Sequence, residues 1–178
     1  MTAVDAPDSP PDSMIALVLE AARRSPCRSK RGAVVYATSC GSPIVEGVGF
    51  NGPPAGAPCP GREVCAGTCG QRSVHAEVRA LRQSGWPRYG GPSTLVHVEL
   101  ASGGGVLACG GPGCWQCSRE ILDVGFIGGV WLYEAGVQLL TQVLATATPI
   151  TVQAGAAWRR YTAEEFHRVT LARCGMVP

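Results

Sequence analysis

Apolar positions change period several times along the chain, and each change marks an element. Met14, Leu17, Val18 and Ala21 recur at i, i+3, i+4 and i+7, which predicts an amphipathic helix capped by Asp12 or Ser13 and ending near Arg24, before Pro26. Two β-rich runs follow, Ala33–Ala37 and Ile44–Phe50, and the Thr-Ser-Cys-Gly-Ser-Pro between them predicts a hairpin with a longer loop. Residues 51–70 show no period. A Gly-, Pro- and Cys-rich loop of that length inside a compact domain is usually functional or held by something other than apolar packing.

Periodicity returns at Ser73–Gln83, with Val74, Val78 and Leu81 on one helical face. Thr94–Ala101 fits a strand with apolar Leu95 and Val96 and polar His97 and Glu99, and residues 101–113, rich in Gly, predict a second flexible connection. Cys114–Val124 fits a helix, Gly129–Glu134 a strand, Gly136–Ala145 a helix and Ile150–Gln153 a short strand. Thr162–Ala172 completes the order as a helix with Thr162 as N-cap and Glu165 closing a capping box. Alternation of this kind predicts an α/β fold, a mixed sheet with helices on both faces. The helix at 136–145 is long enough to cross between the last two strands and make them parallel.

Composition narrows the class. With 178 residues the chain suits one domain, read as residues 13–178 behind a mobile Pro/Asp-rich leader at 1–12. Fifteen basic and thirteen acidic residues leave a net charge of +2, so bulk electrostatics name no partner. Apolar runs are too short for a membrane span, and the first residues lack the charged-then-apolar pattern of a secretory signal; the expected location is cytoplasmic. In that compartment nine cysteines argue for metal binding or chemistry rather than a disulfide framework.

Two motifs carry that chemistry. His75-Ala76-Glu77 and Cys114-Trp115-Gln116-Cys117 each open a predicted helix, where backbone N–H groups and the helix dipole favour thiolate and carboxylate. One His and two Cys supply three zinc ligands and leave the fourth tetrahedral position to water, which distinguishes a catalytic site from a closed structural one. Zinc pulls the pKa of such a water toward about 7. Glu77, two residues from His75, is set beside the metal as a general acid and base. Alone, each motif is weak. Together, separated by one strand, they resemble the H-x-E…P-C-x-x-C signature of zinc nucleobase deaminases, with Gly113 between the proline and the first cysteine.

Over residues 13–172 the sequence resembles the cytidine/deoxycytidylate deaminase superfamily, and within it the dCMP deaminases. Beyond the metal motif, Cys27-Arg28-x-x-x-Gly32-Ala33-Val34-Val35 resembles the family's entry into its first strand. Gly49-Phe50-Asn51-Gly52-x-Pro54-x-Gly56 resembles its nucleotide loop, and Cys65…Cys69…His75-Ala76-Glu77 its approach to the active site. The resemblance implies a three-layer α/β/α cytidine-deaminase-like sandwich around a five-stranded mixed sheet, and self-association as a homo-oligomer. It further implies that Asn51 bonds the sugar, that the backbone at Ala76 reads the base carbonyl, and that Arg28, or nearby Lys30 and Arg31, meets a phosphate. Arg79 and Trp115 are further candidates to line the pocket. Three features depart from the family: Pro112-Gly113 before Cys114 instead of Pro alone, Arg79 where Asn is usual, and an inserted Gly-rich stretch at 102–111.

Cys27, Cys59, Cys65 and Cys69 flank the nucleotide motif and are candidate ligands of a second, structural zinc; the alternative is partly buried thiols. Cys40, Cys109 and Cys174 have no assigned role. His97 and His167 read as ordinary partly buried or surface residues, Trp131 and Tyr133 as core, and Arg159-Arg160 as a solvated pair. The expected activity is hydrolytic deamination of a cytosine-type nucleotide: activated water attacks the ring carbon bearing the amine, Glu77 moves the protons, and ammonia leaves. The rivals are the same chemistry on another amino-heterocycle or on a base in RNA or single-stranded DNA, and a zinc-bound scaffold without turnover. A free nucleotide or nucleoside is preferred over nucleic acid because aromatics are only 6% of residues and no basic stripe stands out.

Overall fold

A computed structural model describes residues 8–54, 57, 73–85, 91–101, 104–108, 114–134 and 157–176. Helix α1 (Asp12–Arg23) begins the described chain, followed by β1 (Lys30–Ser39), β2 (Ser42–Phe50), α2 (Ala76–Ser84) and β3 (Ser93–Leu100). Then come the two-residue strand β4 (Val106–Leu107), α3 (Trp115–Asp123), β5 (Ile127–Glu134), β6 (Ala157–Tyr161) and α4 (Ala163–Arg173).

The sheet runs β2-β1-β3-β5-β6, with β4 beside β3. β3 pairs antiparallel with β1 and parallel with β5, and α3 lies in the long connection that a parallel pair requires. Successive residues of β1, β3 and β5 pack on opposite faces of the sheet. Ala33, Val35, Leu95, Val130 and Leu132 pack under α2, α3 and α4, while Val34, Tyr36, Val96, Val98 and Trp131 pack with Met14, Val18 and Ala22 of α1. Helices thus cover both faces of a mixed sheet, the expected three layers.

Several details differ from expectation. The N-cap of α1 is Pro11; Asp12 lies inside the first turn, where a carboxylate still meets the positive end of the helix dipole. The β1–β2 hairpin is tight: only Cys40 (φ 51°) and Gly41 (φ 78°) connect the strands, two left-handed residues as a type I′ turn requires. β4 forms within the stretch expected to be an unstructured connection, continuing the row beside β3 where pairing with β5 stops at His97. β5 pairs antiparallel with β6, a strand the sequence pattern does not announce, Val130 opposite Tyr161 and Glu134 opposite Ala157, and among the described strands the parallel pair is β3–β5. β6 includes Arg159 and Arg160, both exposed, and forms by backbone pairing without an apolar pattern to announce it. The helix expected at 136–145 and the strand at 150–153 lie outside the described residues.

Glycine decides how closely two helices approach the sheet. A Cβ on Gly32 would meet the Val18 carbonyl and Ala22 N of α1; on Gly47 or Gly49 it would strike the α2 backbone at Ala80 and Ala76. The N-terminal turn of α2 therefore lies directly on β2. Among the described residues, no helix is long and apolar enough to cross a membrane.

Candidate active site

The first turns of α2 and α3 converge. His75 is the N-cap of α2 and Cys114 the N-cap of α3, both with extended backbone, while Cys117 sits in the first turn of α3. The approach to His75 is fixed by a two-way backbone bridge between Gly52 and Val74, 3.1 and 2.8 Å. His75 Nδ1 lies 3.1 Å from Cys117 Sγ and 3.2 Å from Cys114 Sγ, and the two sulfurs are 3.3 Å apart. Cys114 Sγ also accepts the Cys117 backbone N–H at 3.4 Å.

These contacts polarise the cluster. Its hydrogen bond with Cys117, together with His75, brings the Cys114 thiol down to about 4 despite its burial. The Cys117 thiol moves the other way, raised by the same contact and by burial. His75 is raised above its ordinary value by its hydrogen bond with Cys114. The pair therefore holds one thiolate and one thiol, and it does so beside an imidazole.

Glu77, in the first turn of α2, is 2% exposed and points inward to the sheet. Its Oε1 is 3.6 Å from Nε2 of His97 on β3, itself 3% exposed. Burial raises the Glu77 carboxyl, but His97, a backbone N–H and His75 outweigh it and leave Glu77 below its ordinary value; burial holds His97 below its own. Glu77 Oε2 and His97 Nε2 are buried without a hydrogen-bond partner among the described residues.

The donor set fits zinc. Three ligand atoms, one imidazole nitrogen and two sulfurs, all lie within 4.8 Å of one another. Tetrahedral zinc with bonds of about 2.0–2.3 Å spaces such donors about 3.5–3.8 Å apart, so the cluster needs to open by only a few tenths of an ångström. Glu77 is not among the converging donors and stands next to them with an unsatisfied oxygen, the placement a proton carrier needs.

The other expected site residues divide. Ala76 is fully buried in the first turn of α2, between His75 and Glu77. Asn51 is buried and braces the loop ahead of β1: Oδ1 accepts from Ser25 Oγ (2.8 Å) and Arg31 N (2.7 Å), and Nδ2 donates to the Ser29 carbonyl (2.8 Å). Among the described residues, its second Nδ2 hydrogen has no partner. Arg79 donates to the Pro53 and Gly52 carbonyls and lies over the Phe50 ring, clamping the loop after β2. Trp115 is half-buried with the Arg119 guanidinium over its ring. Arg28 is exposed, Lys30 Nζ donates to the Arg23 carbonyl, and Arg31 is paired with Glu99 at 3.0 Å. Cys27 is buried, its N–H donating to Ser25 Oγ; Cys59, Cys65 and Cys69 lie outside the described residues.

Two contacts escaped the sequence. His97 lies against Glu77, and His167 Nδ1 is 3.0 Å from the buried Ser118 Oγ, linking α4 to the helix that carries Cys117. A polar residue inside an otherwise apolar strand, Leu95-Val96-His97-Val98, was the available signal for the first.

No protein-family model matches the chain, and no curated protein does. Among solved structures it is similar to the dCMP deaminase of the cyanophage S-TIM5, crystallised in complex with dCMP and dUMP. The identity is 23%, over 66% of this chain and 78% of that one, with a TM-score of 0.40.

Proposed function

We propose that this protein is a zinc-dependent hydrolytic deaminase that converts a cytosine-type nucleotide to its uracil form and releases ammonia. One observation carries the proposal: three converging zinc donors, too few to close a tetrahedral shell, stand beside a buried carboxylate with an unpartnered oxygen. His75, Cys114 and Cys117 hold the metal. Bound there, zinc supplies the Lewis-acid polarisation that makes water a nucleophile near neutral pH.

Glu77 accepts the first proton of the attacking water and delivers it to the ring nitrogen beside the reacting carbon, then takes the second proton from the hydroxyl left on that carbon and gives it to the departing amine. The new C–O bond keeps the water oxygen on the ring as the carbonyl, the C–N bond breaks, and ammonia leaves. The backbone at Ala76 reads the base, and Asn51 offers its remaining Nδ2 hydrogen to the sugar. Arg28, exposed near the start of β1, is a candidate to meet a phosphate.

The test combines metal analysis with ammonia release from dCMP, CMP, cytidine, deoxycytidine, adenosine, guanine and single-stranded DNA. One zinc per chain and turnover of a cytosine nucleotide are expected. Glu77→Ala should retain the zinc and lose turnover by about 10²-fold or more. Wild-type protein with zinc and no ammonia from any substrate would make it a scaffold, and preference for another substrate would move the specificity elsewhere.

A further inference from the structure

His97 is a polar side chain where an apolar one would pack. It lies between Val96 and Val98 on the central strand, shares a sheet face with Leu95, and pairs across β1 with Ala33. A buried imidazole carries a desolvation cost that a well-made hydrogen bond normally offsets. At Nε2 that bond is missing among the described residues: the 3.6 Å to Glu77 Oε1 exceeds hydrogen-bond length, and Glu77 Oε2 is also without a partner. Orphaned polar atoms in a core call for an explanation, and two facing each other beside a cluster of metal donors call for a shared one.

Competing partners are engaged. Glu99, next along the same face of β3, is taken by Arg31 and Ser29 Oγ. His97 is not among the converging metal donors. What it faces is one oxygen of Glu77.

We infer that His97 is a positioning residue for Glu77: its Nε2–H steers Oε1, so that the carboxylate presents Oε2 as the oxygen that takes up and delivers the proton. The pair is held slightly open, and a movement of under 1 Å closes it into a hydrogen bond of about 2.8–2.9 Å. This inference rests on the deaminase role given to Glu77 above, but the coupling of the two side chains can be measured without turnover.

The experiment uses the zinc-loaded full chain with His97→Val and His97→Gln. Both should keep one zinc per chain, because the ligands are untouched. His97→Val should lower kcat on the order of 10- to 100-fold, the usual effect of losing a supporting partner, with KM changed less than about twofold. His97→Gln, whose amide donates from a similar reach, should recover kcat to within about threefold of wild type. An unchanged kcat in His97→Val, or equal impairment in both variants, overturns the inference. Melting temperatures of Glu77→Gln, His97→Val and the double variant give a second readout. Coupling makes the double loss smaller than the sum of the single losses by more than about 2 °C, and additive losses overturn the inference. If the wild-type protein releases no ammonia, the deaminase role fails separately, and the melting cycle still decides whether the two side chains act together.

Discussion

The sulfurs of Cys114 and Cys117 lie 3.3 Å apart and hold one proton between them, with Cys114 the thiolate. The asymmetry comes from the start of α3: Cys114 accepts the Cys117 N–H and faces His75, whereas Cys117 is more deeply buried in the helix. A depressed thiol pKa means that the reactive anion persists as pH falls, until the pH crosses that value. In metal-free protein, iodoacetamide should therefore label Cys114 at pH 6 ahead of Cys117 and of the exposed Cys40 and Cys174, with peptide mapping as the readout. Its rate should rise with pH through about 4 and then level off. Preferential labelling of Cys117 would contradict the assignment.

Metal removal should be felt by the fold as well as by the chemistry. A ligand that binds only the native state at a hundred times its dissociation constant stabilises by about 2.7 kcal/mol, so chelation should lower the melting temperature by about 5–10 °C and zinc should restore it. Cys117→Ser should leave the protein well short of one zinc per chain. A melting temperature indifferent to both treatments would show that the three donors do not form a zinc site.

Arg79 connects α2 to the loop after β2. Its guanidinium donates to the Gly52 and Pro53 carbonyls, and the same loop is bridged to Val74, one residue before His75. Arg79→Ala should lower the melting temperature by roughly 2–6 °C and raise KM more than it lowers kcat, with zinc content unchanged. Arg79→Lys should recover only part of this, because an ammonium lacks the planar fork that reaches two carbonyls. A loss of kcat with normal KM would assign Arg79 to the chemistry instead.

Gly49 should tolerate no side chain. A Cβ there collides with the Ala76 carbonyl and stands 2.5 Å from Ala80 N, so the first turn of α2 would lift from the sheet and carry His75 and Glu77 with it. Gly49→Ala should cost roughly 4–10 °C in melting temperature and weaken zinc binding. Gly105→Ala, with open space around it, serves as the control and should stay within about 2 °C of wild type. Equal stability of the two variants would mean that α2 is not held by this contact.

Much of the metal cluster is legible one-dimensionally because its geometry is local. Cys114 and Cys117 are one helical turn apart, His75 and Glu77 share another helix start, and both starts follow loops, so the two spacings together bring out the residues that converge and the carboxylate beside them. The strands β1, β3 and β5 are legible for another reason: buried on both faces, they stand out as short runs rich in β-branched and aromatic residues. β6 is not, because a strand held at the sheet's edge by its backbone can carry two exposed arginines and no alternation.

The sequence by itself picked out the three residues that converge, the carboxylate beside them and the alternation of helices and strands. Tertiary structure decided which distant side chains meet: Glu77 against His97, Asn51 turned into a brace, Arg79 folded onto the loop carbonyls, and β5 antiparallel to β6. The reason is physical. Periodicity records which face of an element is buried, whereas the partner across that face depends on register and on how closely helix and sheet approach, which here turns on the bare backbone of Gly47 and Gly49.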